Sequence, residues 1–262
     1  MKADPHNVGV SIVQRVVRFL VTLVILLGPT VAPSGAQEPQ LPPPPIISPA
    51  PWDGIPNLNG IWNREPIRTE EELRRQLGGN LPPFTAYGLE RYQNVDPAAN
   101  PTGWCQPGGP GRVFHSPFPF QIVQTEGLVT FLFELYHDYH RVFVDGRTRP
   151  ESLETRWWGY SVGRYEGNKL ISETTGLDPR SWLFSVGIEH SDQLKLTQVF
   201  EKTGPDTILA TETFEDPVFF TKPWSISYEF QREPFDLLEH ICMDNNRALL
   251  EGLYQPGSSR SK

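Results

Sequence analysis

Leu194-Lys195-Leu196-Thr197-Gln198-Val199-Phe200-Glu201-Lys202, then Thr203-Gly204-Pro205-Asp206, then Thr207-Ile208-Leu209-Ala210-Thr211-Glu212-Thr213-Phe214 decides the fold class. Leu194, Leu196, Gln198 and Phe200 fall on one face of an extended chain, and Lys195, Thr197 and Glu201 on the other. A side-chain period of two is the signature of a strand. The four residues that follow are turn-formers, and the chain returns with Ile208, Ala210, Glu212 and Phe214 on a shared face. One dry side and one wet side predict an antiparallel sheet.

The same pattern extends outward in both directions. Gln121–Gln124 and Leu128–Tyr136 flank Thr125-Glu126-Gly127, and His140–Val144 ends at Asp145-Gly146. Trp157–Tyr165 and Lys169–Thr174 flank Glu166-Gly167-Asn168, while Trp224–Gln231 and Leu237–Cys242 flank Arg232–Asp236. In Trp224–Gln231, Trp224, Ile226, Tyr228 and Phe230 oppose Ser225, Ser227 and Glu229. About nine short strands without long crossover helices predict a mostly β protein. An antiparallel up-and-down barrel is preferred to a sandwich, because closure removes the sheet edges. Two short helices are expected: one capped by Thr69 and running to Gly78-Gly79, the other over Ala86–Gln93. Residues 95–119, rich in Pro and Gly, read as a long ordered loop.

The N-terminus carries a different signal. Lys2, Arg15 and Arg18 precede the uncharged run Phe19–Leu27, which breaks at Gly28-Pro29 and leads to Ser34-Gly35-Ala36. That arrangement reads as a signal peptide over residues 1–36. A retained signal-anchor is the alternative, although the apolar run is well short of the roughly 20 residues of a spanning helix. The proline run Pro42–Pro45, with Pro49 and Pro51, makes residues 37–56 a linker. Residues 57–254 are expected to form a single β-barrel domain and residues 255–262 a disordered tail.

Cleavage after Ala36 removes three basic residues and one acid, moving the formal charge from −8 to −10. Such a surface repels phosphate backbones and anionic lipid, so nucleic acid and stable membrane insertion are not expected. A periplasmic or secreted location follows from the leader, and no oligomeric state is indicated. In an oxidising compartment Cys105 and Cys242 read as one disulfide, with two free buried thiols as the alternative.

Trp158-Gly159-Tyr160-Ser161-Val162-Gly163-Arg164-Tyr165-Glu166-Gly167-Asn168-Lys169-Leu170 is similar to the "W-x-G-x-S-x-G-x-W-E-G-D-x-L" hairpin of an uncharacterised family of exported bacterial proteins. Cys105-Gln106-Pro107, Asp145-Gly146-Arg147, His190-Ser191-Asp192 and Thr221-Lys222-Pro223-Trp224 fit the same family, over roughly residues 57–247. Tyr165 and Asn168 stand where the family pattern has Trp and Asp. The resemblance implies export and fold, and no activity. Gly60-Ile61-Trp62 also resembles the G-x-W signature that opens lipocalin barrels, which implies a calycin-like barrel.

Candidate chemistry gathers at Glu134, Tyr136, His137, Asp138, His140 and Arg141. On a continuous strand, His137 ends the apolar row Val129, Phe131, Phe133 and Leu135, where a carboxylate would tune an imidazole for acid–base work. His190, at a strand entrance, is the second candidate. Glu134, Tyr136, His137 and His190 are therefore the candidate catalytic groups. A metal shared by His137 and His140 needs a bend between them, so no metal and no cofactor are expected. His190-Ser191-Asp192 reads as a turn, since adjacent residues cannot converge as a triad. Trp158, Tyr160, Arg164, Glu212 and Tyr228 are the candidate ligand-binding residues, aromatic or charged groups among apolar neighbours.

Three functions fit this pattern: a barrel binding a small, largely apolar molecule; an isomerase, lyase or hydrolase on the same scaffold; or an envelope module acting through protein contacts.

Overall fold

The structure, a computed structural model, describes residues 54–245. The signal peptide expected over 1–36, nearly all of the linker expected over 37–56 and the tail expected over 255–262 lie outside the described residues. Among those described, no helix is long and apolar enough to cross a membrane.

Nine strands form one closed barrel in chain order. They are β1 (Gly60–Asn63), β2 (Phe120–Thr125), β3 (Leu128–Phe133), β4 (Tyr139–Phe143), β5 (Tyr160–Glu166), β6 (Lys169–Thr175), β7 (Lys195–Gly204), β8 (Thr207–Glu215) and β9 (Trp224–Glu233). All neighbours are antiparallel except β4 and β5, which pair in parallel through Val142↔Ser161 and Phe143↔Val162. This corrects the expectation of a purely antiparallel, up-and-down barrel, and the reason is parity. Around a closed ring the strand sense must return to itself, so antiparallel contacts come in an even number. Nine strands therefore require at least one parallel contact, and the connection 144–159 supplies it by carrying the chain back before β5.

The count of nine agrees with the sequence reading, but its membership differs. Leu237–Cys242 is not a strand: the segment is irregular, touches Leu135 through a single bridge at His240, and ends in a short helix, Cys242–Asn245. The ninth strand is β1, which joins β2 to β9 and completes the ring. At that closure the Arg232 guanidinium lies 4.4 Å over the Trp62 ring and donates to the Asn59 carbonyl at 3.0 Å. Gly60, at φ +140, leaves the space this requires, since a Cβ there would sit 2.0 Å from the Arg232 guanidinium.

The helices follow their sequence signals. In α1 (Glu70–Gln76), Thr69 and Glu72 form a reciprocal capping box, and Leu73 is buried. In α2 (Ala86–Gln93), the Thr85 side chain caps the Gly88 N–H. The long loop 95–119 holds two 3-10 turns and the short helix α3 (Pro110–Val113).

Beyond α3 the loop places Phe114 inside the barrel. Its ring lies 5.1–5.5 Å from those of Phe120, Phe131, Phe133 and Phe200. The lumen is consequently packed with side chains, as small barrels are. A disulfide joins Cys105 in this loop to Cys242. It anchors the C-terminal segment to the lumen-filling loop, not to a last strand.

Candidate functional site

A cleft of about 330 Å³ opens at the parallel seam. β4 and β5 pair only at Val142/Phe143 with Ser161/Val162, so their N-terminal ends part before the pairing begins. Gly163 permits the seam: a Cβ there would meet Val142 at 2.6 Å and the Ile171 carbonyl at 2.7 Å. Tyr139, Phe143, Trp157, Trp158 and Tyr160 supply aromatic walls, and His140 and Ser161 lie at its buried end. Trp158 is braced by stacking on Phe133 at 5.2 Å, and Phe143 stacks on Tyr160 at 5.2 Å. Tyr139 is 53 % exposed and free to meet a ligand.

The polar groups of the cleft are tuned by burial. The Asp138 carboxyl is pushed up to about 6, chiefly by desolvation, with the neighbouring Trp158 N–H acting the other way. Burial holds the His140 imidazole down to about 3, so it is neutral at ordinary pH. Its Nε2 lies 3.2 Å from Ser161 Oγ, which in turn lies 2.6 Å from Thr174 Oγ1. Arg141 and Arg156 add positive charge at the cleft.

A second polar group lies inside the barrel, beside Phe114. Arg64 Nη1 donates to His115 Nδ1 at 2.9 Å, and His115 Nε2 lies 2.6 Å from Glu212 Oε2. A guanidinium only donates, so Nδ1 accepts and Nε2 carries the proton, donating it to the carboxylate. Desolvation lowers the His115 pKa, against the opposing pull of Glu212. Gln198 Nε2 donates to Glu212 Oε1 at 2.7 Å, and Arg64 lies 3.9 Å over the Tyr228 ring. Burial drives the Tyr228 hydroxyl well above its ordinary range.

The residues singled out from sequence scatter over these places. Trp158 and Tyr160 line the seam cleft, while Glu212 and Tyr228 belong to the lumenal cluster. Arg164 stands on the outer surface, paired with Glu166 at 2.6 Å and Glu173 at 3.3 Å.

The four acid–base candidates do not converge. β3 ends at Phe133, and Glu134–Asp138 is a tight turn with Tyr136 at φ +60 and His137 at φ +54. The apolar row therefore stops short of His137, whose exposed ring accepts the His240 N–H at 3.2 Å. Glu134 accepts the Leu238 N–H at 2.8 Å, and the Tyr136 hydroxyl donates to the Thr102 carbonyl at 2.6 Å. His190 is buried elsewhere, 2.8 Å from both Ser181 Oγ and the Ser191 carbonyl.

Sequence reasoning did not find the roles of Arg64, His115 and Gln198. The signal for His115 was the apolar pair Val113-Phe114 inside a loop otherwise rich in Pro and Gly. Such a pair needs a core to enter, and its neighbour enters with it.

The chain matches no protein-family model and none of the curated proteins with which it was compared.

Proposed function

We propose that this is an exported barrel protein that binds a small, largely apolar molecule in the cleft at the β4–β5 seam. The observation that carries the reading is the aromatic lining of that cleft, formed by Tyr139, Phe143, Trp157, Trp158 and Tyr160. Mostly apolar walls with a few placed polar groups are the usual construction of a small-molecule site, and about 330 Å³ falls at the small end of the roughly 300–1,000 Å³ typical of such sites. Asp138, Arg141 and Ser161 would orient a polar substituent of the ligand. Export rests on the N-terminal leader, and the Cys105–Cys242 bridge suits an oxidising compartment.

The lumen itself is an unsuitable host, because Phe114 occupies it. Binding is favoured over catalysis because Glu134, Tyr136, His137 and His190 are each engaged in local structural contacts.

Native mass spectrometry of protein purified from an export-competent host tests the reading, with a naphthalene-based fluorescent probe as reporter. A co-purified molecule or saturable probe binding is expected, and Tyr139→Ala should weaken the probe about threefold to tenfold through lost ring contact. Tyr139 is mostly exposed, so this variant keeps the fold. An unaltered probe affinity in Tyr139→Ala would move the site away from the seam.

A further inference from the structure

Among the described residues, three that are not glycine have left-handed backbone: Cys105 at φ 57, Tyr136 at φ 60 and His137 at φ 54. All three meet at one place. Tyr136 and His137 lie in the turn after β3, and Cys105 ends the 3-10 turn Pro101–Trp104. The Thr102 carbonyl joins the two, accepting the Tyr136 hydroxyl at 2.6 Å and the Cys105 N–H at 3.2 Å. On the other side of the turn stands the C-terminal segment. Its Leu238 N–H donates to Glu134 and its His240 N–H to His137. The His240 ring lies 4.4 Å from that of Phe118 and 5.5 Å from that of Tyr136. The turn is thus gripped from two sides, and the Cys105–Cys242 bridge fastens one grip to the other. Left-handed backbone is unfavourable for a residue with a Cβ and persists only where its surroundings hold it. The same turn leads straight into the seam cleft, which Asp138 and Tyr139 line.

We infer that the Cys105–Cys242 bridge is a redox latch on the turn 134–138 and, through it, on the cleft at the β4–β5 seam. The role in the cleft rests on the function proposed above. The reductant is a dithiol: it delivers two electrons and two protons, opening the S–S bond to two thiols and closing its own disulfide. Both cysteines are half-buried beside the exposed Gln106, Ile241 and Met243, within reach of such a reagent. Once the bond is open, Cys105 is released from its left-handed conformation and the Thr102 carbonyl moves with it. The C-terminal segment loses its anchor at the same time. The turn then relaxes toward ordinary backbone and carries Asp138 and Tyr139 out of their places in the cleft.

The test is hydrogen exchange together with titration of the naphthalene-based probe, on the oxidised protein and on protein reduced with dithiothreitol. After reduction the amides of 134–140 should exchange at least about tenfold faster, while those of β7 and β8 keep their protection. The probe should bind about threefold or more weakly, as the competent form of the cleft becomes a minority. If reduction also frees the β7 and β8 amides, the fold has opened as a whole, and Tyr136→Phe in the oxidised protein decides instead. That variant drops the grip on Thr102 and should show both changes to a smaller degree. Unchanged exchange at 134–140 overturns the latch, and so does unchanged probe affinity beside faster exchange. Absence of probe binding to the oxidised protein overturns the proposed ligand site instead, and exchange alone then decides the latch.

Discussion

Glu212 shows at the residue scale why a buried charge needs all of its partners. Its carboxylate accepts from His115 and Gln198 in a fully buried position. Removing one member of such a set leaves the others desolvated and unpaired. Glu212→Ala is therefore expected to lower stability by about 3–5 kcal/mol in urea unfolding. Asp138 acts through protonation instead. Its folded pKa of about 6 lies above the ordinary 3.8, so the folded state holds the proton more tightly than the unfolded chain. Its contribution is greatest below about pH 4 and is lost as pH rises to about 6. Asp138→Asn should accordingly raise the melting temperature at pH 7.5 and change it little at pH 4. A gain of the same size at both pH values would show that ionisation is not the cause.

At the scale of elements, the seam and the lumen-filling loop are the two places where one segment decides the arrangement. β5 lies against β4 at a distance that only a glycine at position 163 tolerates, because Val142 and the Ile171 carbonyl occupy the space of a side chain. Gly163→Val should cost at least about 1–3 kcal/mol as overpacking and alter probe binding in the cleft. Thermal unfolding and probe titration measured together check both parts. Loop 95–119 acts as core, since Phe114 meets the rings of four strands. Phe114→Ala should cost about 3–5 kcal/mol. Protection of lumen-facing strand amides in hydrogen exchange should fall with it.

For the whole molecule, buried histidines set the response to acid. His115, His140 and His190 all have pKa values depressed by burial from the ordinary 6.5. The unfolded chain takes up protons that these rings refuse, so stability is full above about pH 6.5 and is lost as pH falls below it. Asp138 works in the opposite direction over part of that window, but as one group against three. Unfolding free energy measured from pH 7 to pH 4 should therefore fall. The Cys105–Cys242 bridge spans a sequence separation of 137 and ties the C-terminal segment to the loop that fills the lumen. Changing both residues to serine is expected to cost about 2–5 kcal/mol, read as a shift in the urea midpoint.

Period-two alternation in segments such as Leu194–Phe200 and Trp224–Phe230 was enough to establish a β protein from sequence, because it is a local property of the extended chain. The capping box at Thr69 and Glu72 was legible for the same reason. With two cysteines the sequence allowed one pairing, Cys105 with Cys242, or two free buried thiols, and the structure has the disulfide. Strand membership was less legible at the ends: Gly60–Asn63 is too short for alternation to show, and only its G-x-W resemblance pointed to a barrel opening, while Leu237–Cys242 has the composition of a strand but makes a single bridge, from His240 to Leu135. Only the tertiary structure placed β4 beside β5 in parallel, sent Phe114 into the lumen and brought Arg64, His115, Gln198 and Glu212 together. Those arrangements depend on ring closure and on contacts between residues far apart in the chain, and local alternation carries no record of either.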